Sequence, residues 1–224
     1  MKLEIPPGEF AGYIFDLDGT LVDTMPLHYR AWNETLRRAG LREDLNEDIF
    51  YSLGGVPTRR VAELLGQHYR LPLNPERIFE EKEVLFSGIQ HEAQLIMPVV
   101  EFARKMAKTH PLAIASGGPR PIVRRTLELG GLASLFRVVV TPEDVARGKP
   151  APDMFLLAAR RLGVAPERCL VLEDAEPGVQ AARAAGMTVL LVASRGLAKT
   201  GASRESSRDI TEVRGLGSAW SGPN

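Results

Sequence analysis

The stretch LVLEDAEPGVQAARAAG, residues 170–186, holds one complete strand-to-helix unit. Its apolar run 170–172 has the length of a buried strand and stops at two acids, Glu173 and Asp174. Pro177 then opens an apolar-striped segment that Gly186 closes. Proline in the first turn and glycine just past the end mark helix boundaries. The same pattern repeats outward along the chain. Runs at 13–15, 112–115 and 138–140 also end in small or polar residues, and a fifth at 189–192 lacks a polar site at its end. Between them lie helical stripes: Val99, Ala103, Met106 and Ala107 after Pro98; Ile122, Val123 and Leu127 after Pro121; and 154–162 after Pro152, closed by Gly163. Strands alternating with helices predict an α/β fold, a doubly wound parallel sheet with helices on both faces. In such a sheet the binding crevice lies at the carboxyl ends of the strands.

The segment 25–96 breaks the alternation and reads as helices only: one over 27–39 ending at Gly40, one after Pro57 and one after Pro75. A helical block placed after the first strand and before the second predicts an inserted small all-helical domain over the strand ends. The expected division is therefore a sheet domain of 1–24 and 97–193, an insertion of 25–96, and a tail of 194–224 with a mobile composition. A weak strand pattern occurs in the tail at 209–213.

The 224 residues are 44% hydrophobic and 25% charged, which excludes global disorder. Twenty-eight basic against twenty-eight acidic residues give no net charge, so neither a nucleic acid nor a membrane surface is expected as partner. The lone Cys169 has no partner for an internal disulfide. No apolar stretch approaches the ~18 residues of a membrane span, and the N-terminus lacks the apolar run of a leader. A cytoplasmic monomer is the expectation.

The strand ends supply the chemistry. In FDLDGT (15–20), Asp16 and Asp18 sit two apart, so strand geometry points both to one side with Leu17 turned away. Two carboxylates held together drive their proton affinities apart, which suits one as nucleophile and the other as acid; the spacing leaves open which is which. An ordinary solvated turn has the same composition. Glu173 and Asp174 call for a cation, and oxygen donors without His or Cys favour Mg²⁺, although an acid near a helix start is also common. Ser116 with Gly117–Gly118 offers a hydroxyl and open N–H groups before a helix. Lys149 lies on a loop stiffened by Pro150. Together these make a nucleophile, a metal site and a cradle for a phosphoryl group.

FDLDGTLVDT (15–24), IASGG (114–118), ARGKPAPD (146–153) and VLEDAEPGVQAARAAG (171–186) resemble, in order, the four motifs of the haloacid dehalogenase superfamily. The helical block resembles the cap of its sugar-phosphatase and β-phosphoglucomutase branch, which DTMPLHYRAW (23–32) and GGVPTRR (54–60) fit. The resemblance implies that Asp16 attacks phosphorus and that Asp18 is the acid and base. It also implies that Ser116, Gly117 and Lys149 hold the phosphoryl group. Mg²⁺ would be bound by Asp16, the Asp18 carbonyl and Asp174, with Glu173 near or through water. On the cap side it implies substrate contacts from His28, Gly55 and Arg60, with Trp32 in the cap core.

The expected activity is Mg²⁺-dependent hydrolysis of a small phosphorylated metabolite, of the fructose-1-phosphate or 6-phosphogluconate type, through an aspartyl phosphate. β-Phosphoglucomutase is the first alternative. Its cap loop carries a lysine and an arginine for the second phosphate, where this chain has Gly54 and Thr58, with Arg59 and Arg60 adjacent as partial compensation. A non-catalytic phosphometabolite-binding protein is the second. The single cap lysine, Lys82, lies well along the expected third helix, with nothing in the sequence that aims it at the site.

Overall fold

A computed structural model of the chain describes residues 3–54 and 56–192; the tail and its strand pattern at 209–213 lie outside the described residues. The chain runs β1 (Gly12–Phe15), β2 (Val22–Asp23), α1 (Met25–Arg38), α2 (Glu47–Ser52), α3 (Thr58–His68), α4 (Pro75–Ile89), β3 (Gln94–Leu95), α5 (Met97–Met106) and β4 (Leu112–Ala115). It continues through α6 (Arg120–Leu129), β5 (Val138–Val140), α7 (Asp153–Leu162), β6 (Cys169–Glu173), α8 (Glu176–Ala184) and β7 (Thr188–Leu191).

Five strands form one parallel sheet in the order β5-β4-β1-β6-β7. Successive strands are laid outward from β1 on one side, then on the other, so the topological switch falls between β1 and β6. Phe15 is in register with both Ile114 and Leu172, so the chain leaves β1, β4 and β6 at one edge. The acids at 16, 173 and 174 and the serine at 116 are thereby gathered at that edge. All five sequence-read strands are present, the last as Thr188–Leu191.

The apolar runs work because both faces of the sheet are buried. Tyr13 and Phe15 point to one face and pack with Val99, Val100 and Ala103 of α5 and Val123 and Leu127 of α6. Ile14 points to the other and meets Met154, Phe155 and Ala158 of α7 and Ala181 and Ala182 of α8. The prolines and glycines act as read: Pro121 and Pro177 lie in the first turns of α6 and α8, and Gly163 ends α7 at φ 71°.

Helices α1–α4 have a core of their own, in which Trp32, Leu36, Phe50, Val61 and Leu65 are buried. The helices-only expectation for 25–96 needs one correction. β3 pairs antiparallel with β2, Val22 opposite Leu95 and Asp23 opposite Gln94, and ties the two crossings of the insertion together. Two residues carry no periodicity, so this ladder has no signal in the sequence. The short α2 was also missed; Asn46 caps it by accepting from the Ile49 N–H. No helix among the described residues is long and apolar enough to cross a membrane.

Candidate active site

Asp16 and Asp18 open into one cavity of about 290 Å³ between the strand ends and the helical insertion, while Leu17 between them is wholly buried in the sheet core. Gly19 follows at φ +84°, and a Cβ there would collide with the Asp174 carboxylate. The glycine of DGT is thus required by both backbone conformation and close approach. Thr20, next along, donates to Asp174 Oδ1 at 3.3 Å.

Lys149 reaches across from the loop after β5. Its Nζ lies 2.7 Å from Asp16 Oδ1 and 2.6 Å from Glu173 Oε1, in a buried pair of ion pairs. The other oxygen of Glu173 accepts from the Ala175 N–H at 2.8 Å. Space for the Glu173 side chain exists because residue 178 is glycine: a Cβ there would overlap the carboxyl group. One ligand oxygen each from Asp16, Glu173 and Asp174 falls within 4.8 Å of the others. Burial raises the Asp16 pKa well above its ordinary value; Lys149 opposes this, while Glu173, Asp174 and Asp18 add to it. The two carboxylates bonded to Lys149 hold its own pKa above the ordinary value despite burial.

Asp18 has different surroundings. Thr24 Oγ1 donates to its Oδ1 at 2.7 Å and Ser116 Oγ to its Oδ2 at 3.3 Å, while His28 Nε2 stands 3.7 Å away. Burial favours the neutral acid, but His28, Thr24 and Lys82 outweigh it and leave the carboxyl below its ordinary value. Ser116 also accepts from the Gly118 N–H at 3.1 Å, which shapes the loop where Gly117 lines the cavity. A second tier holds the Lys149 loop. Asp144 accepts from the Thr141 N–H at 3.0 Å, Arg161 at 2.9 Å and Arg120 at 2.6 Å. Cys169 is remote from this chemistry; burial and then Glu167 push its thiol up to about 11.

On the cap side, His28 lies in the cavity with its ring stacked on Phe86 at 3.9 Å. Gly55 lies outside the described residues. Arg60 is not brought to the cavity: it turns outward to Glu63 at 2.6 Å, as Arg59 does to Glu76 at 2.7 Å. Trp32, expected in the cap core, is there and also lines the cavity. Lys82, which no motif in the sequence aimed at the site, is brought to it. It is buried, lines the cavity and bonds Glu83 at 2.9 Å. A signal was present: Ile78, Lys82 and Phe86 are spaced four apart and form the buried stripe of α4, so a lysine holds an apolar position. Thr24 and Glu83 were also missed.

Residues 10–186 match the family described as haloacid dehalogenase-like hydrolase. The chain belongs to that family. Fructose-1-phosphate phosphatase YqaB of Escherichia coli K12 is 39% identical over 178 residues, 80% of this chain and 94% of that protein. Among solved structures, CbbY from Rhodobacter sphaeroides in complex with phosphate is similar at a TM-score of 0.73 and 28% identity, covering 84% of this chain and 88% of that one. β-Phosphoglucomutase from Clostridium difficile shares the fold at a TM-score of 0.72 and 21% identity, over 92% and 98%. The haloacid dehalogenase assignment and the branch with a helical cap hold as the motifs implied. The protein is a phosphoric monoester hydrolase of this family, grouped with its sugar-phosphate phosphatases.

Proposed function

We propose that this haloacid dehalogenase-type enzyme hydrolyses small sugar monophosphates with Mg²⁺, Asp16 being the nucleophile and Asp18 the acid and base. The observation that carries the reading is the shared cavity of about 290 Å³ beneath the helical insertion: two strand-end carboxylates open into it, one bonded to a buried lysine and the other to Thr24 and Ser116.

The donor set fits a hard divalent cation. Asp16, Glu173 and Asp174 present oxygens only, and one lysine offsets three buried carboxylates incompletely. Asp16, Asp174 and the Asp18 carbonyl would hold Mg²⁺, with Glu173 beside it, and the ion would neutralise charge on the phosphoryl oxygens. Asp16 attacks phosphorus and forms an aspartyl phosphate, which splits the hydrolysis into two easier steps. Lys149 holds the Asp16 oxygen in place and, with Ser116 and the Gly117 N–H, receives the phosphoryl group. Asp18 rests ionised; an arriving phosphate dianion raises its proton affinity, so it takes up a proton from solvent, gives it to the leaving oxygen, and then takes one from the attacking water.

The outward pairing of Arg59 and Arg60 supports a phosphatase over a mutase, which must also hold a second phosphate. The boundaries at 24–25 and 96–97 are proposed as those of the cap, with hinges at 22–25 and 96–99 beside the β2–β3 ladder. The test is phosphate release from fructose-1-phosphate, 6-phosphogluconate and β-glucose-1-phosphate, with Mg²⁺ and with chelator. Release should need Mg²⁺ and collapse in Asp18→Asn while ligand affinity survives. Unchanged turnover in Asp18→Asn would remove the assigned mechanism. Binding without turnover in the unsubstituted enzyme would make it a binding protein.

A further inference from the structure

Two adjacent residues of one helix, Lys82 and Glu83, both line the cavity, although neighbours in a helix ordinarily point about 100° apart. Their side chains are 3% and 13% exposed, whereas Val84, the next residue, is 73% exposed. Glu83 Oε1 takes the Lys82 ammonium at 2.9 Å; Oε2 is buried with no hydrogen-bond partner. A buried carboxylate oxygen without a donor is costly and is kept only where something completes it. Elsewhere the cap side of the cavity is mostly apolar, with Trp32, Phe50, Leu53 and Val61. Lys82 and Glu83 are its charged residues among those described. His28 stands with them but is held below its ordinary pKa, by burial first and then by Lys82.

We propose that Glu83 is a specificity-determining residue whose open oxygen accepts a hydrogen bond from a hydroxyl of the leaving group. Lys82 is already matched by Glu83, so the leaving-group chamber carries no net charge. A neutral polyhydroxylated carbon chain satisfies it. A second phosphate or a carboxylate brings only acceptor oxygens to the open Glu83 oxygen and finds the Lys82 ammonium already engaged. The substrate class is therefore the monophosphate of a neutral sugar or polyol, selected against bisphosphates and phosphorylated sugar acids. This rests on the phosphatase reading above.

The test compares kcat/KM for fructose-1-phosphate, 6-phosphogluconate and fructose-1,6-bisphosphate in the unsubstituted enzyme and in Glu83→Gln, which keeps the shape and removes the charge. The unsubstituted enzyme should favour fructose-1-phosphate over either anionic substrate by about tenfold or more. In Glu83→Gln that ratio should fall by about tenfold. The amount of folded enzyme cancels in the ratio, so a destabilised variant still reports. A preference for 6-phosphogluconate or the bisphosphate in the unsubstituted enzyme, or an unchanged ratio in Glu83→Gln, overturns the inference. No Mg²⁺-dependent release from any of the three overturns the phosphatase reading itself, and this inference with it.

Discussion

On the sheet side of the cavity, Asp16, Asp18, Lys149, Glu173 and Asp174 each hold at least one hydrogen bond. On the cap side, His28 Nδ1 and Glu83 Oε2 are buried without a partner. The two walls of one cavity therefore differ in completeness. On the proposed mechanism, the sheet wall is pre-organised for a phosphoryl group, whose shape does not vary, because its bonds are in place without substrate. On the same proposal, the cap wall keeps open polar atoms for the leaving group.

The difference is broken most severely by Asp16→Asn. Turnover should fall by roughly 10⁴-fold or more, as for removal of other nucleophiles, measured as phosphate release in Mg²⁺. A loss under tenfold would mean that the sheet wall does not carry the chemistry.

Gly178→Ala attacks the same wall through packing. The new Cβ displaces the Glu173 carboxyl from Lys149. The expected cost is about 1–3 kcal/mol in thermal or urea unfolding, with weakened Mg²⁺ dependence of activity. An unaltered unfolding midpoint would show that Glu173 has room the structure denies it.

Asp144→Asn tests the tier behind. The Asp144 carboxyl is held well below its ordinary value: burial raises it, but the Thr141 N–H, Arg161 and Arg120 outweigh that. A group lowered on folding stabilises above its unfolded pKa and stops doing so as pH falls toward the folded one. The substitution should therefore cost about 1–2 kcal/mol at neutral pH. The gap between the two proteins should narrow below about pH 4. A gap independent of pH would contradict the assignment.

Arg60→Ala should do least. Its pair with Glu63 is solvent-exposed, so stability should change by less than about 1 kcal/mol and kcat/KM by less than about threefold. A large rise in KM would bring Arg60 back to the cavity.

The two walls also differ in how far the sequence reveals them. The sheet wall was legible because its acids and Ser116 stand at strand ends, where short apolar runs meet conspicuous polar residues; that Gly19 and Gly178 are forced by close approach to Asp174 and Glu173 only the fold shows. Thr24 escaped notice, since a threonine before a helix reads as an ordinary boundary; only the fold turns its hydroxyl to Asp18. The cap wall was largely hidden. Arg60 was read by chain proximity to Gly54 and Thr58, but its helix turns it to Glu63. Lys82 stands well along its helix, and only its place in the apolar stripe of α4 marks it as facing inward. The β2–β3 ladder is two residues long and fixed by tertiary contacts alone.

The most direct test of the central claim is chemical trapping during turnover. The enzyme is mixed with fructose-1-phosphate and Mg²⁺, quenched, reduced with borohydride and sequenced by mass spectrometry. An acyl phosphate on Asp16 is converted to homoserine at that position, which should be seen only when both substrate and Mg²⁺ are present. Homoserine at Asp18 instead, or at neither position during steady phosphate release, would contradict the assignment of Asp16 as nucleophile.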